Sequence, residues 1–209
     1  MVLVNISTIN ILPDWRVARV RPRDRLYIGL SGDAWCVLQH TITPDHDMCE
    51  SNDATKVWHE QKIERFMVRH IERLPRNTLG PAQVQHIREV LAGPGMKRAV
   101  FVLNCTEIEL PAAKPFDTAG LHPQKIMMTT TGDKATRGGP NIWNVPAGVL
   151  ASELKARIDP EELKVAPELA EADNVRNAFD LSNDLVLSVA IAVFAALNRN
   201  ESTRTELRL

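Results

Sequence analysis

The stretch Leu185 to Leu197, LVLSVAIAVFAAL, constrains this chain more than any other. Its thirteen residues are apolar except for Ser188. Crossing a bilayer takes about twenty residues, so this length predicts a buried helix rather than a membrane span. A helix that is apolar nearly all round must be enclosed, either by its own domain or by a partner. Enclosure within its own domain is the primary expectation. Self-association through residues 181–197 is the alternative. The helix is expected to start near Asp180 or Ser182 and to end at Asn198.

Enclosing such a helix requires other layers, and the rest of the sequence supplies candidates of both kinds. Leu26 to Leu30, then Ser31-Gly32-Asp33, then Ala34 to Ile42 reads as two strands joined by a tight turn, with glycine supplying a positive φ. Trp15 to Val20 is a plausible further strand. From Asp53 to Leu74 the apolar positions Ile63, Phe66, Met67, His70, Ile71 and Leu74 follow helical spacing. A second central helix is expected from Pro81 to Ala92, closed by Gly93-Pro94, with Val84, Ile87 and Leu91 buried. Ala99 to Leu103 reads as a short strand that Glu107 to Leu110 extends, and Lys125 to Thr131 as another. Residues 111–123 and 132–141 read as loops. Pro146 opens a helix to about Ile158.

The expected class is therefore α+β: an N-terminal β-rich part with antiparallel strands, two central helices, short strands, and C-terminal helices ending in the apolar one. At 209 residues with 44% apolar and 24% charged composition, the chain fits one domain spanning 1–209. A subdivision into a β-rich part, 1–52, and a mixed part, 53–209, is compatible with this reading.

Cys36, Cys49 and Cys105 make an odd set with no CxxC spacing, which points to a reducing, cytoplasmic setting. The N-terminus MVLVNISTINILPDW shows neither a basic leader nor a long apolar core, so no secretory signal and no membrane association are expected.

The net charge of −1 hides segregation. Arg19, Arg21, Arg23 and Arg25 occupy alternate positions, so an extended chain presents them on one side. On a helix, Lys62, Arg65, Arg69, Arg73 and Arg76 fall within an arc of about 80°. Residues 153–184 hold nine acids and four cations, a balance of −5. Arginine forks match phosphate geometry, so Arg19, Arg21, Arg23, Arg25, Lys62, Arg65, Arg69 and Arg73 are the candidate contacts for an anionic partner, with nucleic acid the leading candidate. The bland alternative is the solvated exterior of a helix.

Candidate chemistry is sparse. Cys36 and His40 lie about 13 Å apart on a strand, too far to share a zinc ion, so Cys36 belongs with the core. His40, His46, Cys49 and His59 remain a possible divalent-metal set, with Asp45 and Asp47 nearby. Arg65 and His70 form an R-x4-H spacing whose members point about 140° apart on one helix. Thr129 to Pro140, TTTGDKATRGGP, carries Lys134, Arg137 and adjacent glycines, a composition able to cradle an anion, although no GK[ST] follows. GxSxG, HExxH and GxGxxG are missing from the sequence.

The leading expectation is a non-catalytic binding or assembly subunit that touches an anionic partner. The alternatives are a metal-assisted nuclease or other hydrolase using His40, His46 and His59, and a structural homo-oligomer held by the last helix. No catalytic residue stands out, and whether the chain is an enzyme stays open at this level.

Overall fold

The computed structural model describes residues 24–45, 61–75, 80–106, 110–157 and 181–199. Within them the mixed α+β class holds, around one seven-stranded sheet. The hairpin forms as its sequence suggests. β1 (Arg25–Ser31) and β2 (Ala34–Asp45) pair antiparallel from Arg25 opposite His40 to Ser31 opposite Ala34. Gly32 turns the chain with φ of 55°.

Gln61–Arg73 is a strand, β3, antiparallel to β2, and not the helix that its apolar spacing suggests. The strand carries a bulge. Val37 faces His70 and Leu38 faces Val68, so Arg69 is an extra residue. Phe66 and Val68 lie in the same core as Ile71. Leu74 lies in the core on the opposite face and Met67 is exposed, so the 63-66-67-70-71-74 pattern mixes the two faces of a strand and only imitates a helical stripe.

After β3 come α1 (Gly80–Ala92), β4 (Val100–Cys105), a 3₁₀ turn at Leu110–Ala113 and the short helix α2 (Lys114–Thr118). The turn and α2 occupy the beginning of a segment that reads as loop. Next follow β5 (Gln124–Thr129), β6 (Thr136–Gly139), β7 (Ile142–Pro146), α3 (Ala147–Arg157) and α4 (Asp184–Leu197). β6 replaces part of the expected loop 132–141, and β7 occupies residues for which the sequence predicts no element, ending at the Pro146 expected to open the helix. Arg137 lies 4.4 Å over the Trp143 ring, tying β6 to its partner. On α1 the buried face is Val84, Ile87 and Val90, with Leu91 half-buried.

The sheet order is β3-β2-β1-β4-β5-β7-β6. β1, β4, β5 and β7 run parallel, so the sheet is mixed rather than purely antiparallel. Alternation along the strands divides the core in two. Leu26, Ile28, Leu30, Trp35 and Val37 pack with Val84, Ile87 and Val90 of α1 and with Phe116 of α2. Tyr27, Cys36, Leu38, Phe66 and Val68 pack with α3 and α4 on the other face. Helices on both faces explain why β1 is buried from Leu26 to Ser31.

α4 is enclosed by its own chain: Leu185 to Ala196 are each at most 5% exposed. The burial expected within the domain is present, and the apolar face that self-association through 181–197 would use is covered. Among the described residues, no helix is long and apolar enough to cross a membrane.

At Gly29 the backbone of α4 lies directly against β1. A Cβ there would overlap the backbone carbonyl oxygen of Ser188 and lie 3.2 Å from Cys36 Sγ. Cys36 Sγ donates to the same carbonyl at 3.3 Å, and Ser188 Oγ donates to Leu185 O at 2.8 Å. The carbonyl and hydroxyl oxygens of Ser188 are thereby occupied inside the apolar helix. Gly29→Ala therefore forces backbone to move, and it should lose about 3 kcal/mol or more of stability, read as a lowered denaturant midpoint.

Burial pushes the Cys36 thiol up to about 12, against the lowering effect of its hydrogen bonds with Gly29 and Ser188. The unfolded chain ionises this thiol near its ordinary value of 9.0, whereas the folded chain holds the proton. Its contribution is thus complete below pH 9 and declines as pH rises from there towards 12. Unfolding curves at pH 8 to 11 should show the wild type losing stability with pH more steeply than Cys36→Ala. Equal slopes would contradict this.

Candidate ligand-binding site

Ser31 of β1 and Asn104 of β4 come together at one end of the sheet, the carboxyl end of its parallel strands. Leu30 pairs with Leu103, so Ser31 and Asn104 stand side by side where β1 and β4 finish. Asn104 Nδ2 donates to Ser31 Oγ at 3.2 Å, and Ser31 Oγ donates to Asp184 Oδ1 at 2.7 Å. Asn104 Oδ1 is buried and, among the described residues, has no hydrogen-bond partner. Asp184 is the first residue of α4, where a carboxylate suits the helix dipole. Asn183 caps that helix by accepting from Leu185 N at 3.0 Å.

β3 ends at the same edge, because β1 and β3 both run antiparallel to β2. Its last residue, Arg73, donates to Asn183 Oδ1 at 3.2 Å and pairs with Asp33. Leu74 N donates to Asp33 O at 2.7 Å. α1 starts here too, since Gln83 Nε2 donates to Gly32 O at 3.1 Å. Gly32 cannot carry a side chain without a contact of 2.7 Å to Asp184 Oδ2.

α3 opens at this edge directly from β7. Thr129 pairs with Pro146, and a Cβ on Gly132, at φ of 109°, would lie 3.3 Å from Pro146 Cγ. The polar segment after β5, with exposed Lys134, therefore lies beside the start of α3. Neither α1 nor α3 has an acid in its first turn.

Chain connections diverge between β1 and β4: β1 turns back into β2, while β4 leads away to β5. Ligands of open α/β sheets bind in the crevice outside such a divergence, at the carboxyl ends of the strands. Ser31, Asn104 and Asp184 occupy this position.

The cations expected to form one arc are distributed differently. Lys62 and Arg65 lie on the first half of β3, opposite Pro44 and Thr41. Arg25 begins β1 and is level with them across β2, since Arg25 faces His40 and His40 faces Phe66. Arg73 lies about 33 Å further along the strand from Lys62, ten positions away on β2. Arg69, the bulge residue, is 3% exposed, and among the described residues its Nε has no hydrogen-bond partner. Burial lowers the pKa of Arg69, opposed by nearby Asp24. Arg19, Arg21 and Arg23 fall outside the described residues.

His40 is 3% exposed and stacked on Phe66 at 4.6 Å. His46, Cys49 and His59 fall outside the described residues. Among the described residues, no group of three or more His, Cys, Asp or Glu side chains is placed to hold a metal ion. His70 packs against Trp35 at 4.7 Å, and its Nε2 meets Glu72 Oε2 at 2.8 Å. It lies five positions from Arg65 along a strand rather than a helix.

Ser31, Asn104, Asn183 and Asp184 escape sequence reasoning. Ser31 and Asn104 do interrupt the apolar runs LYIGL and VFVL at comparable points, but this signal has meaning only once the strands are known to be parallel neighbours. No protein-family model, curated protein or solved structure matches the chain.

Asp184→Ala leaves Ser31 Oγ without its acceptor and removes the acid at the start of α4. It should lower stability by about 1–2 kcal/mol. The exposed Arg73→Ala should stay within about 1 kcal/mol of wild type in the same denaturant titration.

Proposed function

We propose that this chain is a non-catalytic binding subunit that receives an anionic, phosphate-bearing partner at the carboxyl edge of its parallel strands, with nucleic acid the favoured class. The observation that carries this reading is that α1, α3 and α4 all open onto that edge, beside exposed Arg73 and Lys134. Helix N-termini concentrate free N–H groups and positive potential, and α1 and α3 have no acid of their own to offset it. The Arg73 guanidinium is oriented by Asp33 and Asn183 while remaining 45% exposed. Ser31 is a poor candidate nucleophile, since its hydroxyl is fully buried and donates to a carboxylate.

The arginines at 19–25, with Lys62 and Arg65, supply a second source of positive charge in the sequence. A strand of nucleic acid is long enough to engage both regions, whereas a mononucleotide engages the carboxyl edge alone. A metal-assisted hydrolase using His40, His46 and His59 is the alternative reading. His40 is stacked on Phe66 and lies beside the Tyr27 ring.

Titrating a labelled single-stranded oligonucleotide and a mononucleotide at several salt concentrations tests the proposal. Oligonucleotide affinity should fall steeply with salt, and Arg73→Ala with Lys134→Ala should weaken it about tenfold. Absence of binding at low salt, or binding that salt leaves unchanged, would overturn it.

A further inference from the structure

β3 is the terminal strand of the sheet, with β2 on one side and, among the described residues, no strand on the other. At thirteen residues it is a long edge. Long edges are templates for pairing, and proteins commonly protect them with charges. Here the order of the charges has the opposite consequence.

The bulge defines how β3 meets a strand. Val68 and His70 occupy successive pairing positions, and Arg69 is supernumerary. Turn a second copy of β3 antiparallel to the first and place Val68 opposite Val68 on a two-fold axis. The register then sets Met67 opposite His70, Phe66 opposite Ile71, Arg65 opposite Glu72, and Glu64 opposite Arg73. Every charged position from 64 to 73, apart from supernumerary Arg69, meets its opposite, and each such pair occurs twice. Opposed charges across antiparallel strands stabilise pairing, while like charges oppose it.

The facing of the residues agrees with this register. Phe66, Val68 and Ile71 belong to the same core face. Directly opposite residues must share a face. In an unbulged strand, residues 66 and 71 would fall on opposite faces. The extra residue at Arg69 corrects that parity. Met67, one of two large apolar side chains exposed among the described residues, lies one position from the axis and is 37% exposed.

We infer that β3 is a self-recognising edge, and that two copies of this chain join β3 to β3 antiparallel about Val68, making one sheet from the seven strands of each. Pairing over so few residues buries less than a standard interface, so the dimer forms in the micromolar range.

Sedimentation equilibrium up to about 200 µM should show the mass rising with concentration from 23.3 kDa towards twice that value. Arg65→Glu and Glu72→Arg, made singly, create two like-charge pairs and should each weaken association about tenfold or more. The double variant restores both pairs and should return to within about threefold of wild type. Glu72→Arg also removes the contact with His70, so a second readout avoids that position. In a Cys49→Ser background, Val68→Cys should form an intermolecular disulfide under mild oxidation, because residue 68 faces itself across the axis.

A mass fixed at 23.3 kDa would overturn the inference. So would single variants that associate like wild type, a double variant no better than the singles, or no disulfide at residue 68. A monomer whose β3 edge is protected from amide exchange by residues 1–23 would overturn it as well.

Discussion

The approach of the α4 backbone to β1 at Gly29 is the contact on which the rest of the structure depends. An α-helix and a strand come this close only where the strand lacks a side chain, and Gly29 is the residue that permits it. Cys36 on β2 reaches the same carbonyl, so helix, central strand and hairpin partner meet at one point. The apolar character of α4 all round follows from this placement. One side lies on the sheet, α3 contacts it laterally, and Leu185 to Ala196 are buried.

The same placement creates the polar edge. With α4 pressed onto β1, its first turn reaches the end of that strand and brings Asp184 to Ser31. Asn183, capping the helix, meets Arg73 at the end of β3. Three elements distant in sequence thus converge through the positioning of one helix. An edge built this way is held from behind by the core, so its polar groups are fixed in place by packing rather than by one another alone.

The legible parts of the fold were those with local signals. The hairpin declares itself through Gly32 between two apolar runs, α1 through its Pro81 and Gly93 boundaries, and α4 through uninterrupted hydrophobicity. β3 imitates a helix in sequence because both faces of the strand carry apolar residues, Phe66 and Ile71 on one and Leu74 on the other, with Arg69 interrupting the alternation. β6 and β7 were hidden for a different reason. TRGG and IWNVP are short and contain glycine, asparagine and proline, so their strand character comes from pairing with each other and with β5. The candidate site was the least legible part. Ser31, Asn104 and Asp184 are unremarkable individually, and Asp184 lies 153 residues from Ser31. Of the eight cations singled out from sequence, only Arg73 takes part in this edge among those whose side chains are described.

Amide hydrogen exchange tests the central claim most directly. If α4 is locked onto β1 at Gly29, the amides of Leu187 to Ala196 and of Ile28 to Leu30 should exchange only through global unfolding. Their opening free energies should equal the free energy of denaturant unfolding and fall together in Gly29→Ala. Exchange of the α4 amides at rates near those of an unstructured peptide, while β1 stays protected, would contradict the account.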